Sequence, residues 1–275
     1  MKTKIWMGVV PFLFMAAMVA GNMLLAHKLA RADRIISADE RRVDSWRRTA
    51  EPYFRPIVIT IALICGLLLA LQTYPHWQDY ILWANGEQWG RNDPQFGRDL
   101  SYFMFELSLH VAINHWLFVC VLVVLLLTAL TSYVFGGIRP QAPNSMLPFQ
   151  VNLHLSALVF ALMALLGWGM LLQLHLLSYS ERGVVTGLGF TDSNASLLAY
   201  KFVAAAVVAG FVMFQVNIRR PGYIIPTAII VYLILVGLSI VRFYPNLFQL
   251  IIVEPQELER ERPYIEDHLQ FTRYG

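Results

Sequence analysis

Residues 111 to 135 read VAINHWLFVCVLVVLLLTALTSYVF, a run of sequence that contains no charged side chain. At about 1.5 Å per residue, a helix of this length can cross the roughly 30 Å hydrocarbon core of a bilayer. Further stretches of the chain are similarly long and apolar. The sequence therefore predicts an all-α, polytopic transmembrane helix bundle with about six spans, at residues 5–26, 57–74, 111–135, 153–177, 198–218 and 224–241.

The composition of the 275-residue chain excludes other broad fold classes. Hydrophobic residues make up 57% of the sequence and charged residues only 14%, whereas about a quarter of the residues in a soluble domain are charged. Helices that are apolar on every face cannot form the outer layer of a soluble protein. Membrane barrels instead show alternating segments of about ten residues. Lipid is therefore the expected surroundings of these helices.

Basic residues are concentrated in the segment 27–56, between the first two predicted spans. The positive-inside rule places such a segment in the cytoplasm, so the loops 75–110 and 178–197 and both termini are expected outside. We predict a multi-pass protein of the cell (plasma) membrane. Arginine-rich loops beside spans are ordinary topology signals, so anionic lipid headgroups, and no nucleic acid, are the expected partners. The basic residues are Lys28, Arg31, Arg34, Arg41, Arg42, Arg47, Arg48 and Arg55.

Two shorter helices are predicted outside the spans. In the basic segment, apolar residues recur at a roughly helical spacing, which predicts an amphipathic cytoplasmic helix. On the other side, Asn92-Asp93-Pro94 is a turn signal, and the apolar residues that follow it fall on one face of a helix. This pattern predicts a short helix lying in the outer interface. Its apolar face comprises Phe96, Leu100, Phe103, Met104, Leu107 and Val111.

Chemistry-bearing residues are sparse in the predicted spans. No Asp or Glu lies in a span interior, and Cys65 and Cys120 sit in mid-span without the spacing of a zinc site. In the tail, glutamates alternate with arginines, a pattern typical of solvated ion pairs. The sequence thus carries no catalytic signature, and we predict no metal site and no cofactor.

Four ordered motifs resemble those of the uncharacterised protein family 0182. They are NDPQFGRDLSYFMF at 92–105, YVFGGIR at 133–139, RGVVTGLGFTD at 182–192, and ERPYIE at 261–266 with Thr272-Arg273. The resemblance implies a bacterial integral membrane protein with about seven amino-terminal spans, a large extracytoplasmic region and no established activity. We accordingly expect a transmembrane domain at 1–242 and an extracytoplasmic tail at 243–275, the start of a missing or truncated region.

Three functional hypotheses remain open. The leading one is a membrane protein that anchors or scaffolds an extracytoplasmic module or protein partner. The alternative is a transporter or channel with a polar path lined by Asn22, Thr128, Thr131, Gln173 and Gln215, and the third is an interfacial enzyme using His110, His115 and Asp99. The candidate functional residues of the outer motifs are Asn92, Asp93, Pro94, Phe96, Asp99, Thr191, Asp192, Arg262, Tyr264 and Glu266.

Overall fold

The fold is all-α, as the sequence predicts. The computed structural model describes residues 2–32, 41–138, 147–182, 186–219, 228–229, 231–232, 235 and 237–274. Over these ranges the chain forms helices joined by turns. The α-helices are α1 (Lys2–Ala32), α2 (Arg41–Ala50), α3 (Phe54–Thr73), α4 (Trp77–Ala84), α5 (Leu107–Val134), α6 (Phe149–Leu176), α7 (Leu197–Arg219), α8 (Tyr244–Phe248) and α9 (Glu257–Tyr274).

Among the described residues, five helical segments are long and apolar enough to cross a membrane. They are Ile5–Arg31, Phe54–Ala84, Tyr102–Val134, Phe149–Tyr179 and Asp192–Phe214, and each overlaps one of the first five predicted spans. The sixth predicted span, at 224–241, falls partly outside the described residues. Its last residues, 237–241, belong to the π-helical segment Gly237–Phe243.

Several helices are interrupted by π-helical turns, in which each hydrogen bond spans one residue more than in an α-helix. Besides Gly237–Phe243, the described chain has π turns at Tyr102–Glu106 before α5, at Asp192–Ser196 before α7, and at Gln249–Val253 after α8. Such turns are rare and are frequently found at functional sites. Two of them begin within the outer sequence motifs, at Tyr102 and Asp192.

The chain divides into two compact units. The first comprises Met1–Gly86, Ala112–Leu165 and Ile218–Pro221, and the second comprises Glu87–Val111, Leu166–Asn217 and Gly222–Gly275. These are packing units. The predicted boundary between a membrane domain at 1–242 and a tail at 243–275 stays a prediction.

In the first unit, α1 and α3 pack closely through small residues. A Cβ added at Gly66 would lie 3.0 Å from the Phe12 carbonyl oxygen and 3.3 Å from the Ala16 Cβ. Polar groups join the apolar contacts, because the Thr73 hydroxyl donates to the Met7 carbonyl at 2.6 Å. Close backbone approach at small residues is a common way to hold membrane helices together.

The predicted amphipathic helix is α2, and the structure attaches it to the end of α5. Arg47 is buried, and its Nε donates to the carbonyl oxygen of Val134, the last residue of α5, at 3.1 Å. Gly136 follows with φ +81°, and a Cβ there would lie 2.8 Å from Nη2 of Arg47. A guanidinium at a helix C-terminus satisfies a carbonyl and complements the helix dipole. Arg47 is therefore a packing residue as well as part of the basic segment.

The second unit has its own aromatic core, built on the end of the first outer motif and the residues just after it. Tyr102, Phe103 and Leu107 pack with Leu172 of α6, and Phe96 and Trp168 pack against them. Tyr179 donates its hydroxyl proton to the Phe103 carbonyl at 2.7 Å.

The predicted outer interfacial helix begins later in the structure than the sequence suggested. Residues 92–99 form a turn closed by a bridge between Asn92 and Asp99, and Gly97 there takes φ +64°. Helix then starts at Leu100 and continues through the π turn into α5. Phe103 and Leu107 of the predicted apolar face pack with Leu172 of α6, and Phe96 and Val111 pack against them, whereas Met104 is 54% exposed. The separate short helix between α3 and α5 is α4, which ends before this turn.

Gly66→Ala tests the packing of α1 on α3. Although alanine is the better helix former, its methyl group would be forced against the Phe12 carbonyl, and overpacking of this kind costs about 1–3 kcal/mol. We expect a lower unfolding midpoint in detergent, followed by tryptophan fluorescence. Gly21→Ala in α1 is the control, since a Cβ there meets nothing within 4 Å. Equal midpoints for the two variants would contradict the proposed close contact.

Candidate functional site at the start of the fifth span

A glycine-rich turn leads into the span Asp192–Phe214. Gly187 has φ +127°, which L side chains rarely adopt, and a Cβ there would lie 3.1 Å from Nε2 of His268. A Cβ at Gly189 would lie 3.0 Å from both carboxylate oxygens of Glu261. Helix begins directly afterwards, at Phe190. The glycines thus let α9 approach the first turn of the span.

Glu261 of α9 caps this helix start. Each of its carboxylate oxygens lies 3.1 Å from the amide nitrogen of Phe190, which donates to them. The first amides of a helix have no partner within the helix, and a carboxylate satisfies them and complements the positive end of the dipole. Only 1% of the Glu261 surface is exposed.

The surroundings of Glu261 favour its neutral form. Burial raises the pKa of Glu261, and the negative charges of Asp192 and Glu257 raise it further, while the hydrogen bond from Phe190 acts in the opposite direction. No ion pair to Glu261 occurs among the side chains that the structure describes. A buried carboxyl without a cationic partner holds its proton more tightly than an exposed one.

Asp192 is the second buried carboxylate of the site. Nη1 of Arg182 lies 3.1 Å from Asp192 Oδ1, and the Ser196 hydroxyl donates to the same oxygen at 2.8 Å. Arg182 also donates to Ser196 Oγ at 2.8 Å. Asp192 is 1% exposed, yet its Oδ2 has no hydrogen-bond partner within the described part of the chain.

Further contacts tie the tail to the same helix start. The Thr191 hydroxyl donates to Oε1 of Gln249. The ring of Phe190 stacks on Phe248 with centroids 6.0 Å apart, and the Arg260 guanidinium lies 5.1 Å from the centre of the Phe190 ring. We call the group Arg182, Phe190, Thr191, Asp192, Ser196, Gln249 and Glu261 the clasp.

The structure brings two of the predicted candidate residues into the clasp, Thr191 and Asp192. The three candidates in the tail lie elsewhere on α9. Arg262 and Glu266 form an i,i+4 ion pair at 2.9 Å with side chains 77% and 58% exposed, and Tyr264 is half-buried.

The remaining candidates build the first outer turn. Asp93 Oδ1 accepts hydrogen bonds from the amides of Gln95 and Phe96, on either side of which lie Pro94 and Gly97. Asp99, which bridges to Asn92, accepts from the amides of Trp89, Gly90 and Ser101. Bonds from the Ser101 side chain and amide lower the pKa of Asp99 to about 2.

Both acids of the first turn thus hold backbone amides, so this motif sets the shape of the turn. The ring of His110 lies near Tyr102 and Trp168, at centroid distances of 6.0 and 6.4 Å. The enzyme hypothesis stays a prediction. Within the described ranges, no group of three or more His, Cys, Asp and Glu side chains is placed to hold a metal ion.

Two residues of the predicted polar path, Asn22 and Thr131, have hydrogen-bond partners in the structure. Asn22 donates to the Met18 carbonyl and pairs with His154 at 3.0 Å, and Thr131 donates to the Leu127 carbonyl. Thr128 is fully buried, and Gln173 is exposed. The side chain of Gln215 lies outside the described residues. The transporter or channel hypothesis stays a prediction.

Sequence reasoning missed the role of Glu261. Alternation with arginine suggested a solvated carboxylate, which fits Arg262 and Glu266 but is wrong for Glu261 itself. The only local signal was the pair Gly187 and Gly189, which marked a close approach but not the group that approaches. Its partner Phe190 lies 71 residues earlier in the chain.

Five residues of the clasp, Arg182, Phe190, Thr191, Asp192 and Glu261, lie within the sequence motifs at 182–192 and 261–266. The sequence profile of the uncharacterised protein family UPF0182 matches residues 1–275. This chain belongs to UPF0182. A UPF0182 protein of Frankia alni is 34% identical over 263 residues, which cover 95% of this chain and 26% of the relative. No solved structure matches the chain.

Other UPF0182 relatives show the same relation of lengths. A protein of Synechococcus sp. strain JA-3-3Ab is 36% identical over 234 residues, or 79% of this chain and 27% of the relative. One from Streptomyces coelicolor is 29% identical over 280 residues, or 99% of this chain and 28% of the relative. The chain spans roughly a quarter of the length of the curated relatives it matches.

Arg182→Ala tests the ion pair inside the clasp. It would leave the carboxylate of Asp192 buried without its cation, which costs about 3 kcal/mol for a fully buried pair. Because the Arg182 side chain is 33% exposed, we expect about half of that, measured as a lower unfolding midpoint in detergent.

Arg262→Ala is the matched control for Arg182→Ala. It removes an arginine from an exposed pair, and such pairs contribute about 0–1 kcal/mol. An equal or larger loss of stability in the control would contradict the assignment of the clasp as the stabilising contact.

Proposed function

We propose that this chain anchors and orients an extracytoplasmic module or protein partner, and that α9 is the element which carries the orientation. The observation behind this is the bond between Glu261 and the Phe190 amide. A tail attached only by a flexible linker would not fix the direction of anything bound to it. A helix attached at a buried cap does.

The exposed side of α9 supports this role. Leu258 is 80% exposed and Leu269 is 53% exposed, while Glu261 on the same helix is buried. One face of α9 thus holds the clasp and another remains open for contact. Proteins of UPF0182 resembling this chain are expected to carry a large extracytoplasmic region, and the matched relatives are longer than this chain.

The proposed threading follows from the distribution of basic residues. The segment 27–56, which includes α2, lies on the cytoplasmic side of the cell membrane next to anionic headgroups, because the positive-inside rule favours that side. An even number of spans then places both termini and α9 outside. Lys2 and Lys4, at the amino terminus, oppose this arrangement with two basic residues against the eight of the segment 27–56.

Deletion of residues 257–274 tests the anchoring role. The protein is crosslinked in intact cells of its host, purified from membranes through a tag at the first residue, and its bound proteins are identified by mass spectrometry. We expect the deletion to remove the bound partner, since α9 carries the contact. Unchanged partner recovery would contradict the proposal.

Two point variants control for the possibility that the shortened protein does not insert into the membrane. Glu261→Ala keeps the chain length but removes the cap, so it should reduce partner recovery while the membrane level of the protein is unchanged. Arg262→Ala, at the next residue and exposed, should recover the partner as the unmodified protein does. Equal recovery with both variants would count against an orienting role of the clasp.

Thiol labelling in intact cells tests the threading. Ser45→Cys in α2 should not react with a membrane-impermeant maleimide until the cells are opened, whereas Leu258→Cys in α9 should react at once. Both positions are exposed in the structure. The unsubstituted protein controls for Cys65 and Cys120. Labelling of Ser45→Cys in intact cells would overturn the threading.

A further inference from the structure

The clasp holds two acidic side chains at a depth where their charges are costly. Asp192 and Glu261 are each 1% exposed, and one cation, Arg182, pairs with them in the described structure, through Asp192. The ionised clasp is therefore short of positive charge by one unit. Burying an uncompensated carboxylate is unfavourable, and the usual response is uptake of a proton.

The clasp also lacks a hydrogen-bond donor. Asp192 Oδ2 is buried and has no partner among the described residues, while both oxygens of Glu261 accept from the single amide of Phe190. One proton bound by Glu261 would restore the charge balance that the described groups lack. A protonated Glu261 can still accept the Phe190 amide through its carbonyl oxygen.

We propose that Glu261, buried near the charge of Asp192 and without a cationic partner among the described side chains, is a proton-binding site that couples acidity to the docking of α9, so that α9 binds the start of the fifth span more tightly as the pH falls. The two carboxylates belong to different parts of the chain, and only one of them moves when α9 leaves. The proposal does not depend on the anchoring role.

The sign of the pH effect follows from linkage. The docked state raises the pKa of Glu261 above its ordinary value of 4.5, and an undocked, solvated Glu261 returns to that value. The docked state thus binds the proton more tightly. Docking is strongest below about pH 4.5, weakens as the pH rises through the raised pKa, and is constant above it.

Other charged groups around Glu261 also influence its protonation. Asp192 and its partner Arg182 lie on the side of the span, and Glu257 and Arg260 lie on α9 itself. His268 of α9 faces Gly187, and a histidine can also change charge between pH 5 and 8. The test must therefore separate Glu261 from His268.

Hydrogen exchange of the full chain in lipid nanodiscs measures the docking. The amides of residues 257–270 and 187–192 are followed from pH 4.5 to 8, after correction for the intrinsic exchange rate. We expect protection to fall as the pH rises, by up to tenfold per unit, and then to level off. Protection that does not change with pH would overturn the proposal.

Glu261→Gln is the decisive variant, because glutamine can still accept the Phe190 amide but cannot bind the proton. We expect its protection to be independent of pH. Glu266→Gln removes an exposed carboxylate one turn further along α9, and it should keep the full pH dependence, as should His268→Gln. A pH dependence that survives in Glu261→Gln, or that disappears in His268→Gln, would overturn the assignment to Glu261.

Asp192→Asn provides a second measurement, should Glu261→Gln fail to fold. Removing the neighbouring negative charge lowers the proton affinity of Glu261, so the fall in protection should move to lower pH. An unchanged pH dependence in Asp192→Asn would overturn the proposal that the charge of Asp192 tunes the proton affinity of Glu261.

Discussion

A helix that begins or ends at a membrane surface exposes backbone groups which its own turns cannot satisfy, and the structure depends on how these groups are bound. At Phe190 the amide that opens the fifth span binds the Glu261 carboxylate. At Val134 the carbonyl that closes α5 binds the Arg47 guanidinium. An acid meets the positive end of one helix and a base the negative end of another, as the helix dipole favours.

Both capping residues come from short polar helices next to the spans. Arg47 belongs to α2 and Glu261 to α9, and both residues are buried although Arg48 and Arg262, the next residue in each helix, are exposed. Each cap thus fixes a whole polar helix against a span end through one ionisable group. Glycines make this possible, since Gly136 and Gly189 leave the space that a Cβ would take from Arg47 and Glu261. The charge-rich elements of this apolar chain are therefore parts of the packed structure.

The membrane helices could be predicted from the sequence because their signal is local and long. A run such as 111–135 needs no partner to be recognised, and α2 followed from apolar residues at helical spacing. The clasp could not be predicted, because its central bond joins residues 71 positions apart and neither residue carries a local mark of the other. At Asp93 and Asp99, sequence reasoning identified the right residues, but only the structure shows that their oxygens bind amides of the turn. Periodicity also gave no sign of the π turns.

The π turn at Asp192–Ser196 changes how substitutions in this region must be interpreted. Successive residues of an α-helix are turned by about 100° around its axis, and a π turn inserts the equivalent of one residue. A helical wheel drawn from Phe190 onward therefore assigns the wrong face to every position after Ser196. In alignments, relatives that lack this extra residue would show a one-residue gap here while keeping the lipid-facing side of the remaining helix unchanged.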